Sequence, residues 1–288
     1  MQTYLFVNPG SGNFAQHRVD GVVARLTDGG LSPIIYSTRS VAEVRYCCGF
    51  INQSVTCPLV VVAAGDGTFN AVINSLLPGS ATLAILPLGT SNVLAAELGI
   101  SSVEQGLQRI AAGRIRQLSV GLLELEGSSH RFVLMAGFGF DGAIVRGVRP
   151  TEKRMLKQGA YALSALRICL AWDRETFAVV TPTGTLECHT AVVCNAARYG
   201  GNLLLAPGQD PCSAGFTLAC IRSGLRSSYL HLAWDLARGA ATTNGNLLRI
   251  PVDSLEVRGN SPIQIDGDFI GYGPARLTSL PGFARIIA

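Results

Sequence analysis

Residues 60–78 read VVVAAGDGTFNAVINSLLP: a run of β-branched and small apolar residues, then Gly65-Asp66-Gly67-Thr68, then apolar residues at helical spacing. Phe69, Val72, Ile73, Leu76 and Leu77 fall at i, i+3, i+4, i+7 and i+8, which predicts a helix from Phe69 that Pro78-Gly79 ends. An apolar run that short, followed by such a helix, is a buried strand of a parallel sheet. The glycine turn then stands at the strand's carboxyl end, where open α/β sheets bind ligands.

The same unit recurs on either side. TYLFV (3–7) leads into NPGSGN and a helical stretch at about 15–27, and ATLAILP (81–87) leads into LGTSN and a helix from Val93. SPIIYST (32–38) adds a fourth strand before a helical stretch at about 40–53. Strands alternating with helices predict a parallel sheet with helices on both faces.

Beyond about residue 120 the pattern becomes short alternating runs broken by Gly, Pro, Asn and Asp, among them LSVGLLELEG, HRFVLMAGFG, TAVVCNA, FTLACIR and PIQIDG. Helical stretches at roughly 152–171 and 227–239 interrupt them. GFGFDG (137–142) is read as the continuation of a strand. The fold class expected is an α/β amino-terminal domain at 1–118 and a β-rich antiparallel carboxy-terminal domain at 119–274.

Composition narrows the function. The chain has 288 residues, 48% of them hydrophobic and 15% charged, and a formal net charge of +4. That charge is too small to point to nucleic acid, and suits an anionic substrate or a membrane surface. No window offers the roughly 18 uninterrupted apolar residues of a spanning helix. MQTYLFVNPGSG lacks the basic and long apolar segments of a signal peptide, so a cytoplasmic address is expected. The eight cysteines contain no CxxC and sit mostly in apolar runs, as buried reduced thiols do, and they form no zinc pattern with the four histidines.

Helix amino termini reached through glycines present unsatisfied N–H groups and a positive dipole end, which favour phosphate. Glycine also serves tight turns with no ligand. Asp66 would repel phosphate unless a magnesium ion intervened; alternatively it caps the following helix. There is no GxxxxGK[ST] and no kinase HRD or DFG in context, which excludes a P-loop enzyme and a protein kinase.

Four motifs in order resemble those of the diacylglycerol kinase catalytic-domain family, the soluble bacterial lipid kinases related to sphingosine kinase. They are Asn8-Pro9-Gly10-Ser11-Gly12, Ala64-Gly65-Asp66-Gly67-Thr68-Phe69-Asn70, Pro87-Leu88-Gly89-Thr90-Ser91-Asn92 and Ile265-Asp266-Gly267-Asp268. Gly137 to Asp141, and Gly200-Gly201 with Ala206-Pro207, are weaker echoes. The resemblance implies ATP bound in a cleft between the two domains, with the carboxy-terminal segment, within 275–288, returning to the first.

By the same resemblance the nucleotide set is Asn8, Pro9, Gly10, Ser11, Gly12, Thr38, Gly65, Asp66, Gly67, Thr68, Phe69, Asn70 and Thr90. Asp268 occupies the place of a general base, normally glutamate, and shares the catalytic role with Asp66. ATP and Mg2+ are the implied cofactors, a membrane lipid hydroxyl the acceptor, and peripheral membrane attachment the setting. Read without the family, IDGDFIG is a hairpin centred on Asp-Gly. The chain departs from the pattern at Ala64, at Val93 and in DPCSAGFTL (210–218), where only Asp210 stands near the place of a structural magnesium ligand. The basic residues Arg146, Arg149, Lys153, Arg154 and Lys157 are either a solvated face or a surface for anionic head groups. An NAD kinase and a nucleotide- or lipid-binding protein without catalysis are the alternatives, and a homodimer is left open.

Overall fold

A computed structural model describes residues 2–149, 159–170, 175–201, 203–237 and 247–288. They fall into two compact units, Met1–Ser119 with Pro281–Ala288, and Val120–Leu280.

The first unit runs β1 (Thr3–Val7), α1 (Gln16–Asp28), β2 (Pro33–Ser37), α2 (Val41–Asn52), β3 (Leu59–Ala64), α3 (Asp66–Ser75), β4 (Thr82–Pro87), α4 (Val93–Glu97) and α5 (Val103–Ala112). Its strands lie in the order β2-β1-β3-β4, all parallel. Every residue of β1 and β3 is buried, as expected of strands covered on both faces. Leu5, Val61 and Ala84 form one core with Val19, Val22 and Leu26 of α1 and Leu107 and Ile110 of α5.

Helix α3 differs from the sequence expectation at both ends. The helix after β3 starts at Asp66, so Asp66 to Thr68 are its first turn rather than a loop before it. It ends at Ser75, and Leu77, assigned to the buried stripe, is 57% exposed.

The second unit contains the rest of β5 (Ile115–Leu125), then β6 (Ser128–Phe132), β7 (Met135–Gly139), α6 (Phe140–Arg146), α7 (Gly159–Leu170), β8 (Phe177–Thr181), β9 (Gly184–Cys188) and β10 (Thr190–Cys194). There follow β11 (Arg198–Tyr199), β12 (Leu203–Leu204), β13 (Phe216–Ile221), α8 (Arg226–Ala237), β14 (Leu248–Val252), β15 (Ser254–Arg258), β16 (Pro262–Ile265), β17 (Asp268–Tyr272) and β18 (Ala275–Ile287). One sheet has the order β14-β13-β10-β7-β16-β17 and is antiparallel throughout. A second group pairs β15 with β8 and with residues 275–278 of β18. Phe132, Phe138, Phe177, Phe216, Val257 and Leu277 fill one core. The end of β18 belongs to the first unit, where Arg285 and Ile286 pair in parallel with Thr82 and Leu83 of β4.

HRFVLMAGFG is two strands, not one. Between them the N–H groups of Val133 and Leu134 donate to the carboxylate of Asp266, which takes them out of the ladder. GFGFDG is likewise a strand end followed by a helix: β7 stops at Gly139, whose φ is +69°, and Phe140 opens α6. Of the stretch read as helical at 152–171, residues 159–170 form α7; Lys153, Arg154 and Lys157 lie outside the described residues. Cys48, Cys188, Cys194 and Cys220 are buried free thiols as read, whereas Cys47, Cys57 and Cys212 are partly exposed.

Candidate functional site

Because β1, β3 and β4 are parallel neighbours, the three glycine turns that follow them emerge at one rim of the sheet. Their side chains tie them together. Ser11 Oγ donates to the Leu88 carbonyl at 2.7 Å, Asn13 Nδ2 to the Gly89 carbonyl at 2.6 Å, and Asn8 Nδ2 to Thr68 Oγ1 at 3.2 Å. Asn92, held at φ +49°, closes the third turn on itself, its amide accepting from Gly89 N and donating to Gly89 O. Backbone approach is close: a Cβ on Gly89 would lie 2.3 Å from Gly65 Cα, and one on Gly12 would lie 2.4 Å from Thr90 Oγ1.

Asp66 is the lock between two of these turns. Its carboxylate accepts from Val93 N and Leu94 N, each at 3.0 Å, so it caps α4 across the rim rather than the helix that carries it. Burial pushes its carboxyl above the ordinary range, and the backbone donors partly offset that.

Two features of the rim fit a phosphate ligand. Gly67 lies in the first turn of α3, yet a Cβ there would meet nothing within 4 Å, so the chain's own packing does not require glycine. Thr38, whose N–H donates to Val7 O at the end of β1, is 2% exposed, and its Oγ1 has no hydrogen-bond partner among the described residues. The Phe69 ring, 1% exposed, belongs to the core, so a ligand could meet Phe69 only through its backbone. Asn70 and Thr90 remain at the rim; the Asn70 Oδ1 accepts from Asn74 Nδ2 at 2.5 Å.

In the second unit, Asp266 and Gly267 have φ of +48° and +88° and form the two-residue turn of the β16–β17 hairpin, as IDGDFIG alone suggested. The Asp266 carboxylate accepts from Val133 N (2.8 Å), Leu134 N and Met135 N (both 2.9 Å). Asp268, first residue of β17, is exposed and lines a pocket of about 260 Å³ with Val145, Arg146, Tyr161 and Phe269. Tyr161 OH donates to the Gly267 carbonyl at 3.1 Å, fixing the turn that presents Asp268.

The sequence reading missed one buried network. Asp141, 3% exposed at the start of α6, accepts from Tyr199 OH and from Gln264 Nε2, the latter at 2.8 Å. Gln264 Oε1 in turn accepts from Gly267 N at 2.9 Å, so the network ends at the turn beside Asp268. An Asp inside the apolar run GFGFDGAIV was the available signal, since a carboxylate buried there needs donors from elsewhere. Burial raises the Asp141 carboxyl, and the hydrogen bonds from Tyr199 and Gln264 pull it partway back. A carboxyl with a higher pKa folded than unfolded binds more protons when folded. Its stability contribution is therefore complete below the unfolded value, about 3.9, and is lost as pH rises through the folded one. A carbon-13 titration of aspartate-labelled protein is expected to show Asp141 protonating at higher pH than a free aspartate; a midpoint at or below the free value would remove this reading.

Among the described residues, no group of three or more His, Cys, Asp or Glu side chains is placed to hold a metal ion. Asp210 spends one oxygen on Cys212 N at 2.8 Å. No helix among the described residues is long and apolar enough to cross a membrane.

The diacylglycerol kinase catalytic domain model matches residues 2–123, and the YegS C-terminal NAD kinase beta sandwich-like domain model matches residues 135–288. The chain belongs to this family of diacylglycerol kinase and YegS-like lipid kinases. The "Probable lipid kinase YegS-like" of Shewanella frigidimarina is 33% identical over 194 residues, 65% of this chain and 61% of that protein. A "Diacylglycerol kinase" of Bacillus subtilis is 26% identical over 231 residues, 77% of this chain and 75% of that protein. A crystal structure of a candidate diacylglycerol kinase from Bacillus anthracis superposes with a TM-score of 0.81 at 20% identity, covering 99% of this chain and 94% of that one, which establishes likeness of fold.

Proposed function

We propose that the chain transfers the γ-phosphoryl group of ATP to a hydroxyl of a membrane lipid, diacylglycerol-like or sphingoid-like. The observation that carries this is the rim of the first unit: three glycine turns knitted by Ser11, Asn13 and Asp66, with an open Gly67 and an unpartnered Thr38 hydroxyl beside them. Backbone N–H groups at such turns hold phosphates without a lysine. Phosphoryl transfer needs mainly positioning and charge neutralisation. Mg2+ is commonly held by one or two carboxylates together with nucleotide phosphates and water. Asp66 fits that role, because a carboxylate accepting two N–H bonds keeps further lone pairs. Asp268 is the proposed base that takes the proton of the attacking hydroxyl. Lipid is collected at a membrane surface, to which Arg146 and Arg149 add positive charge.

The test is transfer of label from ATP, with Mg2+, to a total lipid extract. Labelled lipid is expected from the wild type, none from Asp66→Ala, and a rate lowered by about 100-fold or more from Asp268→Asn, the range a general base supplies. Wild-type rates in Asp268→Asn would remove Asp268 from the mechanism. ATP binding with no labelled lipid would leave a binding protein, and turnover of NAD instead would leave an NAD kinase.

A further inference from the structure

Asp268 follows directly on Gly267, the second residue of the β16–β17 turn, and glycine has the widest backbone freedom of any residue type. The strand that Asp268 opens lies at the edge of its sheet, paired with β16 through a register that shifts between Ile263 and Gln264. The ladder therefore steadies this end of β17 from one side. Two side chains do the rest, one on each peptide group of Gly267. Gln264 Oε1 accepts from Gly267 N at 2.9 Å, and Tyr161 OH, from α7, donates to Gly267 O at 3.1 Å. With the peptides on both sides held, φ and ψ of Gly267 are set, and with them the place from which Asp268 starts β17.

The Gln264 amide can serve in one orientation. Gln264 is 2% exposed, and its Nε2 donates to Asp141 at 2.8 Å while its Oε1 faces Gly267 N. Turned over, it would set N–H against N–H and oxygen against carboxylate oxygen, so both contacts would be lost together. Asp141 is itself held by Tyr199 OH. Gly137, which stands across from Gln264 in the β7–β16 pairing, leaves room for the contact: a Cβ there would lie 1.6 Å from Asp141 Oδ2 and 2.7 Å from Gln264 Nε2.

We infer that Gln264 is a positioning residue for phosphoryl transfer, holding Asp268 at the attacking hydroxyl by clamping Gly267 with an amide whose orientation Asp141 sets. The inference rests on the lipid kinase reading.

The experiment measures initial rates of label transfer from ATP to vesicles of total lipid extract for wild type, Gln264→Leu and Gln264→Glu. Leucine loses both bonds, so kcat is expected to fall on the order of 100-fold with KM for ATP within about twofold, as when a catalytic group is misplaced but binding is intact. Glutamate offers Gly267 N the same acceptor, but gives Asp141 a donor only while protonated. Two carboxyls at that distance share a proton, so one of them titrates well above the usual carboxylate range. Burial holds the Tyr199 hydroxyl and the Cys194 thiol around Asp141 above their ordinary values, so neither supplies a competing titration below about pH 9. Taken as a ratio to wild type, in which the titration of Asp268 cancels, kcat of Gln264→Glu should lie within about threefold at about pH 6 and fall by about 30-fold at about pH 9. A ratio that does not change with pH, a Gln264→Leu kcat within about threefold of wild type, or a loss carried by KM overturns the inference.

Hydrogen exchange gives a second measurement that needs no lipid. In Gln264→Leu the Gly267 amide should exchange about tenfold or more faster than in wild type, while those of Ile263 and Ile265 keep their rates. If Gln264→Leu does not fold, the same comparison is made with Gln264→Glu at low and high pH, where the faster exchange should appear at high pH alone. If the wild type labels no lipid, the kinase reading fails separately and exchange decides the clamp. Unchanged exchange at Gly267 discards it in either case.

Discussion

Replacing Gly89 with alanine is expected to lower the melting temperature of the first unit by roughly 10 °C, the consequence of about 3 kcal/mol of overpacking in a unit of this size. The new methyl would lie 2.3 Å from Gly65 Cα, 2.9 Å from Gly65 N and 2.7 Å from Asn92 Oδ1. Two of those atoms are backbone at the end of a fully buried strand, so relief requires β3 and β4 to separate. Gly65→Ala should cost less, because its methyl comes no nearer to Gly89 Cα than 3.1 Å. Gly67→Ala should cost nothing, and can add up to about 1 kcal/mol because alanine is the better helix former. Calorimetry on the three variants checks this order. A Gly89→Ala protein melting within a degree of wild type would mean that the two turns are not in contact. The same series separates two uses of glycine: Gly67→Ala, folded and stable, should bind ATP at least about tenfold more weakly if phosphate approaches that backbone.

Asp266→Ala is expected to destabilise the second unit by on the order of 4 kcal/mol. Hydrogen bonds to a charged group contribute about 1.5–3 kcal/mol each, without being additive, and a left-handed backbone costs alanine roughly a further 1–2 kcal/mol. Three N–H groups, on Val133, Leu134 and Met135, lose their acceptor at once, and residue 266 must hold φ of +48° without aspartate's tolerance for it. Asp266→Asn should fall between, since asparagine accepts that conformation and keeps one carbonyl oxygen. Urea denaturation gives the energies, and hydrogen exchange locates them: in Asp266→Ala the amides of residues 133–135 should exchange much faster than their neighbours in β6 and β7. Wild-type protection at those three amides would show that the carboxylate does not hold them.

How much of this was readable depends on how far apart the interacting residues lie in the chain. The strands β1, β3 and β4 were legible because a short apolar run bounded by glycines and followed by a helical stripe is a local signal. The rim followed from it, because parallel neighbours put their turns at one edge. The start of α3 was misplaced by three residues, since a glycine-rich stretch is a poor helix former and only the fold holds Asp66-Gly67-Thr68 in a helical turn. The break at Val133-Leu134 was invisible, because the carboxylate that causes it is at position 266. The Asp141, Tyr199 and Gln264 network escaped for the same reason. Asp66 itself was singled out, but its partners at positions 93 and 94 belong to another turn, so a cap of its own helix did not describe what its oxygens touch.

The pairing of Arg285 and Ile286 with β4 also governs how the protein is made. A ribosome releases residues 1–119 and must then synthesise residues 120–280 before the strand that covers β4 emerges. At the usual pace of synthesis that interval is about 10–30 s, during which the nascent sheet presents an uncovered apolar edge of the kind that recruits foreign strands. Slow translation or a missing tail would therefore be felt first as aggregation, in a part of the polypeptide whose own codons are untouched.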